Sequence, residues 1–303
     1  MLDKIFDAIE GNDIDELKRL KEAGGDFTLA NEHGHTPAHW AAGSGNPEVV
    51  RAVHEAGGDF NLANDYGQTP VHRAAGSGNP EIVRAVHEVG GDFAVADKYG
   101  RTPAHRAAEI GNPETVHAVH EAGGDFTLAD KDGETPAYTA VGSGNPEIVR
   151  AVHEVGGDFT LADKYGRTPA HRAAGCYIPE MVHAVHEAGG DFTLADNNSR
   201  MPAYWAVESG SLKMVRLVED IAKEQEADKL QTALQERLPL PEPDQTNEDY
   251  HRTLKQRQEV ARAALRAETE AKLRNHAPLP DLGHDEIDPT GKDEDDRNGT
   301  DPR

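Results

Sequence analysis

Gly67–Tyr99, GQTPVHRAAGSGNPEIVRAVHEVGGDFAVADKY, recurs along the chain at a fixed step of 33 residues. Its copies open at Gly34, Gly67, Gly100, Gly133 and Gly166, and a sixth opens with Ser199 in place of the glycine. Self-similarity at such a period marks a stacked architecture, in which one unit cannot bury its apolar side alone and does so against its neighbours. An array of this kind has no single central core, so the length of 303 residues does not set a domain count.

Within the copy, Thr69 is placed to cap a short helix and Pro70 to open it, since the first helical residue has no intrahelical use for an N–H. The helix is expected from about Pro70 to Ser77, with Gly78 ending it. Asn79 and Pro80 repeat the cap and start for a second helix, whose expected buried stripe is Ile82, Val83, Val86 and His87. Gly90-Gly91 stops it, and Asp92 to Tyr99 forms an extended hairpin leading to the next copy.

Thr69-Pro70-Val71-His72, Ala74-Ala75, Ile82-Val83 and Gly90-Gly91-Asp92 resemble the ankyrin repeat, standing where that family has T-P-L-H-x-A-A, an I-V pair and G-A-D. The departures are systematic. Ala or Val replaces the Leu of TPLH, Gly replaces the Ala of GAD, and His54, His87, His120, His153 and His186 stand where the family usually has Leu. The resemblance implies an all-α solenoid, each repeat a helix-turn-helix plus hairpin loop, with a C-terminal helical and disordered extension. It implies an N-terminal capping repeat over 1–33 and five internal repeats at 34–66, 67–99, 100–132, 133–165 and 166–198. A C-terminal cap with helical extension follows at 199–237.

Beyond that, Leu238-Pro239-Leu240-Pro241-Glu242-Pro243 reads as a semi-rigid spacer within 238–246. Residues 247–275 lack Gly and Pro and read as a charged helix without a heptad seam. The acidic tail 276–303 is too poor in apolar residues to order itself. In the fifth internal copy Cys176-Tyr177-Ile178 replaces Ser-Gly-Asn, so the Gly stop and Asn cap are lost and a distorted turn with Tyr177 or Ile178 exposed is expected.

The formal net charge is −24, from 31 Lys and Arg against 55 Asp and Glu. Residues 222–303 carry 13 against 20, so −7 lies there and −17 on the repeats. A field of that sign repels phosphate backbones and disfavours nucleic acid. Cys176 is the only cysteine, which excludes an internal disulfide and fits a reducing compartment. The N-terminal stretch lacks the basic and apolar regions of a secretory signal, and no apolar run is long enough to span a bilayer. A cytoplasmic monomer is expected. The alternative is a protein delivered into a host cell without a cleaved signal, its repeats targeting a partner and its tail acting or serving as a translocation signal.

The 16 histidines invite a metal or catalytic reading. His39, His72, His105 and His171 fill the TPxH position, which the resemblance makes structural, bonding between neighbouring repeats. Tyr138 and Tyr204 replace them in two copies, against a shared catalytic role. The second-helix ladder recurs once per copy, too widely spaced for one metal's ligands. If part-buried, those five histidines would resist protonation and lose stability below the unfolded value of about 6.5. No phosphate loop and no Ser or Cys nucleophile motif occurs. No enzyme activity, metal or cofactor is expected.

The resemblance places contacts on the hairpin tips and on the first helix, lining a concave face. Carried copy by copy, these are Glu32, His33, His35 and Trp40; Asp65, Tyr66, Gln68 and Arg73; Lys98, Tyr99, Arg101 and Arg106. Lys131, Asp132, Glu134 and Thr139 follow, then Lys164, Tyr165, Arg167 and Arg172, and last Asn197, Asn198, Arg200 and Trp205. Nine of these are basic (Arg73, Lys98, Arg101, Arg106, Lys131, Lys164, Arg167, Arg172, Arg200) and four acidic (Glu32, Asp65, Asp132, Glu134), within a region of net −17. Both tryptophans lie among them. Arg, Trp and Tyr dominate binding hot spots. The expected partner is a protein with an acidic segment, held at Trp40, Tyr66, Arg73, Lys98, Tyr99, Arg101, Arg106, Lys164, Tyr165, Arg167, Arg172, Arg200 and Trp205. Replacing Arg73, Arg106 and Arg172 by Glu is expected to abolish capture with little change in melting. The acidic tail, tethered to the same chain, is expected to compete for that face.

Overall fold

The structure, a computed structural model, describes residues 1–110 and 112–237 together with Lys255, Glu259 and Ala263. The spacer at 238–246 and the tail at 276–303 lie outside the described residues, as does the segment at 247–275 apart from those three helical positions. Fourteen helices and no strand occur among the described residues. Each copy supplies a first and a second helix. The first helices are α1 (Leu2–Glu10), α3 (Pro37–Ala41), α5 (Pro70–Ala75), α7 (Pro103–Ile110), α9 (Pro136–Gly142), α11 (Pro169–Gly175) and α13 (Pro202–Glu208). The second are α2 (Ile14–Glu22), α4 (Pro47–Glu55), α6 (Pro80–Glu88), α8 (Pro113–Glu121), α10 (Pro146–Glu154), α12 (Pro179–Glu187) and α14 (Leu212–Arg237). First helices stack on first helices and second on second, copy to copy, in two layers.

The caps follow the repeated residues. Asn79 accepts from the Glu81 N–H at 3.0 Å, and Pro80 opens α6. Thr69 and His72 form a reciprocal capping box on α5. That helix ends at Ala75, two residues short of the expected Ser77. The Ser77 hydroxyl donates to the Ala74 carbonyl at 2.7 Å and takes an acceptor that another turn would have needed.

Between the layers runs a column of Phe27, Phe60, Phe93, Phe126, Phe159 and Phe192, each at most 2% exposed. Each follows a Gly-Gly-Asp stop, and burying one such ring contributes about 1.5–3 kcal/mol. Pairs such as Ala74-Ala75 and Ala107-Ala108 are fully buried on the first helices, where small side chains permit close stacking.

His54, His87, His120 and His153 are exposed, and His186 is half-buried. The expected burial of this ladder is therefore corrected. At about 100° per residue, Ala85 extends the buried stripe of Ile82, Val83 and Val86 at one edge, while His87 borders the other edge, beyond Val83, and is left in solvent. Its ring sits edge-on to Phe93, centroids 6.2 Å apart, at the wet end of the core.

Two glycines carry geometric necessity. At Gly67 φ is +77°, and a Cβ would lie 2.8 Å from the Lys98 nitrogen, where the next hairpin crosses. That crossing is a backbone bond, Lys98 N–H to Tyr66 O at 3.0 Å, and equivalents join successive hairpins to Asn197. At Gly91 a Cβ would meet Val86 Cγ1 at 2.7 Å, so the Gly that departs from G-A-D accompanies the β-branched Val beneath it.

The array ends on α14. Met214, Val218 and Ile221 are buried beneath it. Gln225 accepts from the Phe192 N–H at 2.8 Å and donates to the Gly190 carbonyl at 2.7 Å, closing a loop that no further copy covers. In the fifth internal copy Tyr177 is 72% exposed, and Ile178 stands at the N-cap of α12 with no side-chain cap. Cys176 donates its thiol to the Ala173 carbonyl at 2.9 Å, the bond made elsewhere by Ser44, Ser77, Ser143 and Ser209.

Candidate binding face

The hairpin foot of each copy is built on one short polar residue: Asn31, Asn64, Asp97, Asp130, Asp163 or Asp196. In Asp97, Oδ1 accepts the N–H groups of Tyr99 at 2.8 Å and Arg101 at 3.0 Å, which fixes the turn. The second oxygen is left facing the first helices with its side chain sequestered from water. A buried carboxylate requires a partner, and the basic residues of the face supply it.

Arg167 reaches Asp163 Oδ2 through Nε at 2.8 Å and Nη2 at 2.6 Å. Arg200 does the same to Asp196 at 2.9 and 2.8 Å. Burial pushes the Asp196 carboxyl up, but the bonds from Arg200 and the turn N–H groups outweigh it and hold it below the usual carboxylate range. Arg101 faces Asp130 at 3.6 Å, and Arg106 lies 3.8 Å from Asp97 and 3.0 Å from Glu109. At the tips, Lys164 pairs with Asp132, and Lys98 donates to the Asp65 carbonyl at 2.6 Å. Much of the basic excess read from the sequence is thus the counter-charge of an acidic ladder inside the hairpins. Arg106 in particular has carboxylate neighbours of its own, unlike Arg73 and Arg172.

Arg73, Lys98, Lys131 and Arg172 have no carboxylate within 4.0 Å among the described residues. Each arginine has a local reason. Arg73 stands one copy before Arg106, where the foot residue is the neutral Asn64 rather than an aspartate. Arg172 stands nine residues after Asp163, whose free oxygen Arg167 already holds. Both lie against aromatic rings instead. The Arg73 guanidinium carbon is 5.9 Å from the Trp40 ring centroid, and that of Arg172 is 4.9 Å from Tyr138. Trp40 stacks on Phe6 at 5.0 Å, and Trp205 carries Arg200 at 4.7 Å.

These arginines lie in two open clefts. One, of about 280 Å³, includes His35, His39, Gln68, His72, Arg73 and Arg106. The other, of about 390 Å³, is lined by Glu134, Tyr138, Arg167, His171, Arg172, Gly175 and Trp205. The indole N–H groups of Trp40 and Trp205 are buried without an acceptor among the described residues. Burial pushes the Glu134 carboxyl up, against the attraction of Arg172. Tyr66, Tyr99 and Tyr165 are about half exposed on the hairpin tips, at 50, 57 and 51%.

The floor of the face is the TPxH ladder. Thr36 N–H donates to His39 Nδ1 at 3.1 Å, which leaves the ring proton on Nε2 to donate to the Gln68 carbonyl at 2.9 Å. His72, His105 and His171 repeat this toward Arg101, Glu134 and Arg200. Each bond joins one copy to the next. Burial lowers all four pKa values, that of His39 to about 4. With both nitrogens committed, these rings are not available for proton transfer.

Tyr138 and Asn64 lie outside the contact columns read from sequence. The signal is present in their own columns, where Tyr138 and Tyr204 interrupt a run of histidines and Asn31 and Asn64 precede four aspartates. No group of His, Cys, Asp or Glu among the described residues is arranged to hold a metal ion. No described helix is long and apolar enough to cross a membrane.

The family model described as ankyrin repeats (3 copies) matches residues 5–97, 47–127, 86–163 and 104–196. Among solved structures, the ankyrin repeat domain of Bcl-3, a unique member of the IkappaB protein family, is similar at a TM-score of 0.59. The two are 23% identical, over 71% of this chain and 97% of that one. At that identity the likeness is one of fold. No curated protein matches the sequence.

Proposed function

The chain belongs to the ankyrin repeat family, whose stacked repeats generally serve as protein–protein interaction modules, and on that premise we propose that its hairpin and first-helix face docks an acidic segment of another protein. The observation that carries this reading is the pair Arg73 and Arg172, two guanidinium groups without a carboxylate partner among the described residues, each held against an aromatic ring in an open cleft. An arginine laid on an aromatic face is pre-oriented and weakly hydrated, and accepts a carboxylate through paired N–H groups. Lys98 and Lys131 on the exposed tips add longer-range attraction. The protein acts by holding its partner, with no chemical step.

The test is capture of an immobilised Glu-rich peptide by the full chain, in wild type and in a double Arg73→Glu, Arg172→Glu variant. The variant is expected to lose capture while melting as the wild type does. Equal capture by both would sink the reading.

A further inference from the structure

The two arginines that lack a carboxylate among the described residues, Arg73 and Arg172, are not neighbours. They occupy the same column position three copies apart, with Arg106 and Thr139 between them. Arg106 is held by Asp97 and Glu109. Thr139 is uncharged and turns its hydroxyl back to the Thr135 carbonyl at 3.1 Å. At this level the face therefore offers a cation, two quiet positions, and a second cation. Each end also holds one of the chain's two tryptophans, with its indole N–H lacking an acceptor. Thus at opposite ends, among the described residues, an arginine without a carboxylate partner shares a cleft region with an indole N–H that has no acceptor, although Arg172 also donates to the Tyr138 carbonyl at 3.4 Å.

Stacked helices lie about 8–10 Å apart, so three steps separate the two arginines by roughly 24–30 Å. An extended chain rises about 3.3 Å per residue, which makes the gap about seven to nine residues. Resting on the docking reading above, we infer that this face is a two-point reader: it takes an extended partner segment whose carboxylates meet Arg73 beside Trp40 and Arg172 beside Tyr138 and Trp205 together, about eight residues apart. The spacing of the acidic groups, more than their number, selects the partner. Once one end is seated, the other binds intramolecularly, at an effective concentration that falls when the spacing is wrong. Glu134, in the second cleft, adds repulsion against a carboxylate that is poorly placed there.

Polyproline rises about 3.1 Å per residue and serves as a ruler. Peptides with two Glu pairs separated by 3, 8 or 14 prolines are titrated into the full chain, with affinity read by anisotropy of a peptide label. In parallel, fluorotryptophan labelling gives one fluorine resonance for each of Trp40 and Trp205. The 8-proline peptide is expected to bind about tenfold or more tightly than the other two, and to shift both resonances with one midpoint. Arg73→Gln and Arg172→Gln are each expected to cost tenfold or more, against threefold or less for Lys131→Gln, which removes the same charge at a tip. Affinity independent of spacer length, or an equal loss from Lys131→Gln, would overturn the two-point reading and leave diffuse docking standing. Failure of all three peptides and of a Glu-rich peptide to bind would overturn both.

Discussion

Arg167 closes on Asp163 at 2.6 Å, and in doing so leaves Arg172, on the helix behind it, without a carboxylate. The Asp163 side chain is 1% exposed and that of Arg167 is 28%. One arginine is thus a structural counter-ion and the other has no carboxylate partner among the described residues, although both belong to the same basic face.

The two kinds of arginine should separate in a stability measurement. Arg167→Gln strands a carboxylate that the hairpin turn has already removed from water, and should cost about 1–3 kcal/mol in urea unfolding. Arg73→Gln removes no such partner and should fall within about 0.5 kcal/mol of wild type. Equal losses at the two sites would show that the pairing does not organise the face.

Asn64 supplies the converse. It occupies the position of Asp97, Asp130, Asp163 and Asp196 without their charge. Asn64→Asp should give Arg73 the counter-ion that Arg106 has in Asp97. Affinity for an acidic peptide should then fall about as far as it does in Arg73→Gln, with Arg73 itself untouched. An unchanged affinity would mean that the missing charge at Asn64 is not what leaves Arg73 free.

Glu134 should act in the opposite direction. It shares the second cleft with Arg172, beyond direct contact, and its carboxyl is pushed up by burial. Glu134→Gln removes a like charge from the path of an acidic ligand and should tighten binding roughly threefold. Weaker binding instead would show that Glu134 orients Arg172.

The buried histidine ladder gives the fold a pH dependence of definite sign. His39, His72, His105 and His171 stay neutral in the folded protein below the pH at which an unfolded histidine takes up a proton. The unfolded chain therefore binds more protons as pH falls below about 6.5. The stability is fully present above that value and is lost progressively as pH drops toward 4, the value about which His39 titrates when folded. The slope is about 1.4 kcal/mol per pH unit for each histidine that remains neutral. Melting between pH 7.5 and 5 should show the fall, and His105→Gln should make it shallower. A slope unchanged in that variant would assign it to other groups.

The period, the caps and the stacking order were legible because they are local: Thr69-Pro70, Asn79-Pro80 and Gly90-Gly91 each fix a turn through their own backbone chemistry. The position of His87 was not, because its fate depends on whether Ala85 or His87 completes the stripe, and a small residue gives a weak signal beside a large one. The charge of the face was only half legible. Counting Arg and Lys along the contact positions cannot reveal that Asp97, Asp130, Asp163 and Asp196, each in the hairpin foot and outside those positions, take up four of the nine. The exceptions at Asn64 and at the Arg167–Asp163 pair depend on which side chains meet in space, which residue order along the column does not encode.

The turn of the fifth internal copy offers a gain in stability. Ile178 takes the N-cap position of α12 at φ −117° and ψ 100°, close to the −114° and 106° of Asn79. The backbone is therefore already set for an asparagine, and only the acceptor is missing. In α6 that acceptor is Asn79 Oδ1, bonded to the Glu81 N–H at 3.0 Å, whereas α12 has no side-chain cap. Ile178 is half-buried and packs against the core edge, so replacing it loses some apolar contact. An N-cap is worth typically about 1 kcal/mol, and a half-buried side chain recovers less than the full burial of an isoleucine. Ile178→Asn should therefore stabilise the protein by about 0.5 kcal/mol, while Cys176→Ser, which restores the hydroxyl found in four other copies, should leave stability within about 0.5 kcal/mol of wild type. Urea unfolding of both single variants checks this. A net loss in Ile178→Asn would show that the apolar contact of Ile178, and not its missing cap, decides the stability of this turn.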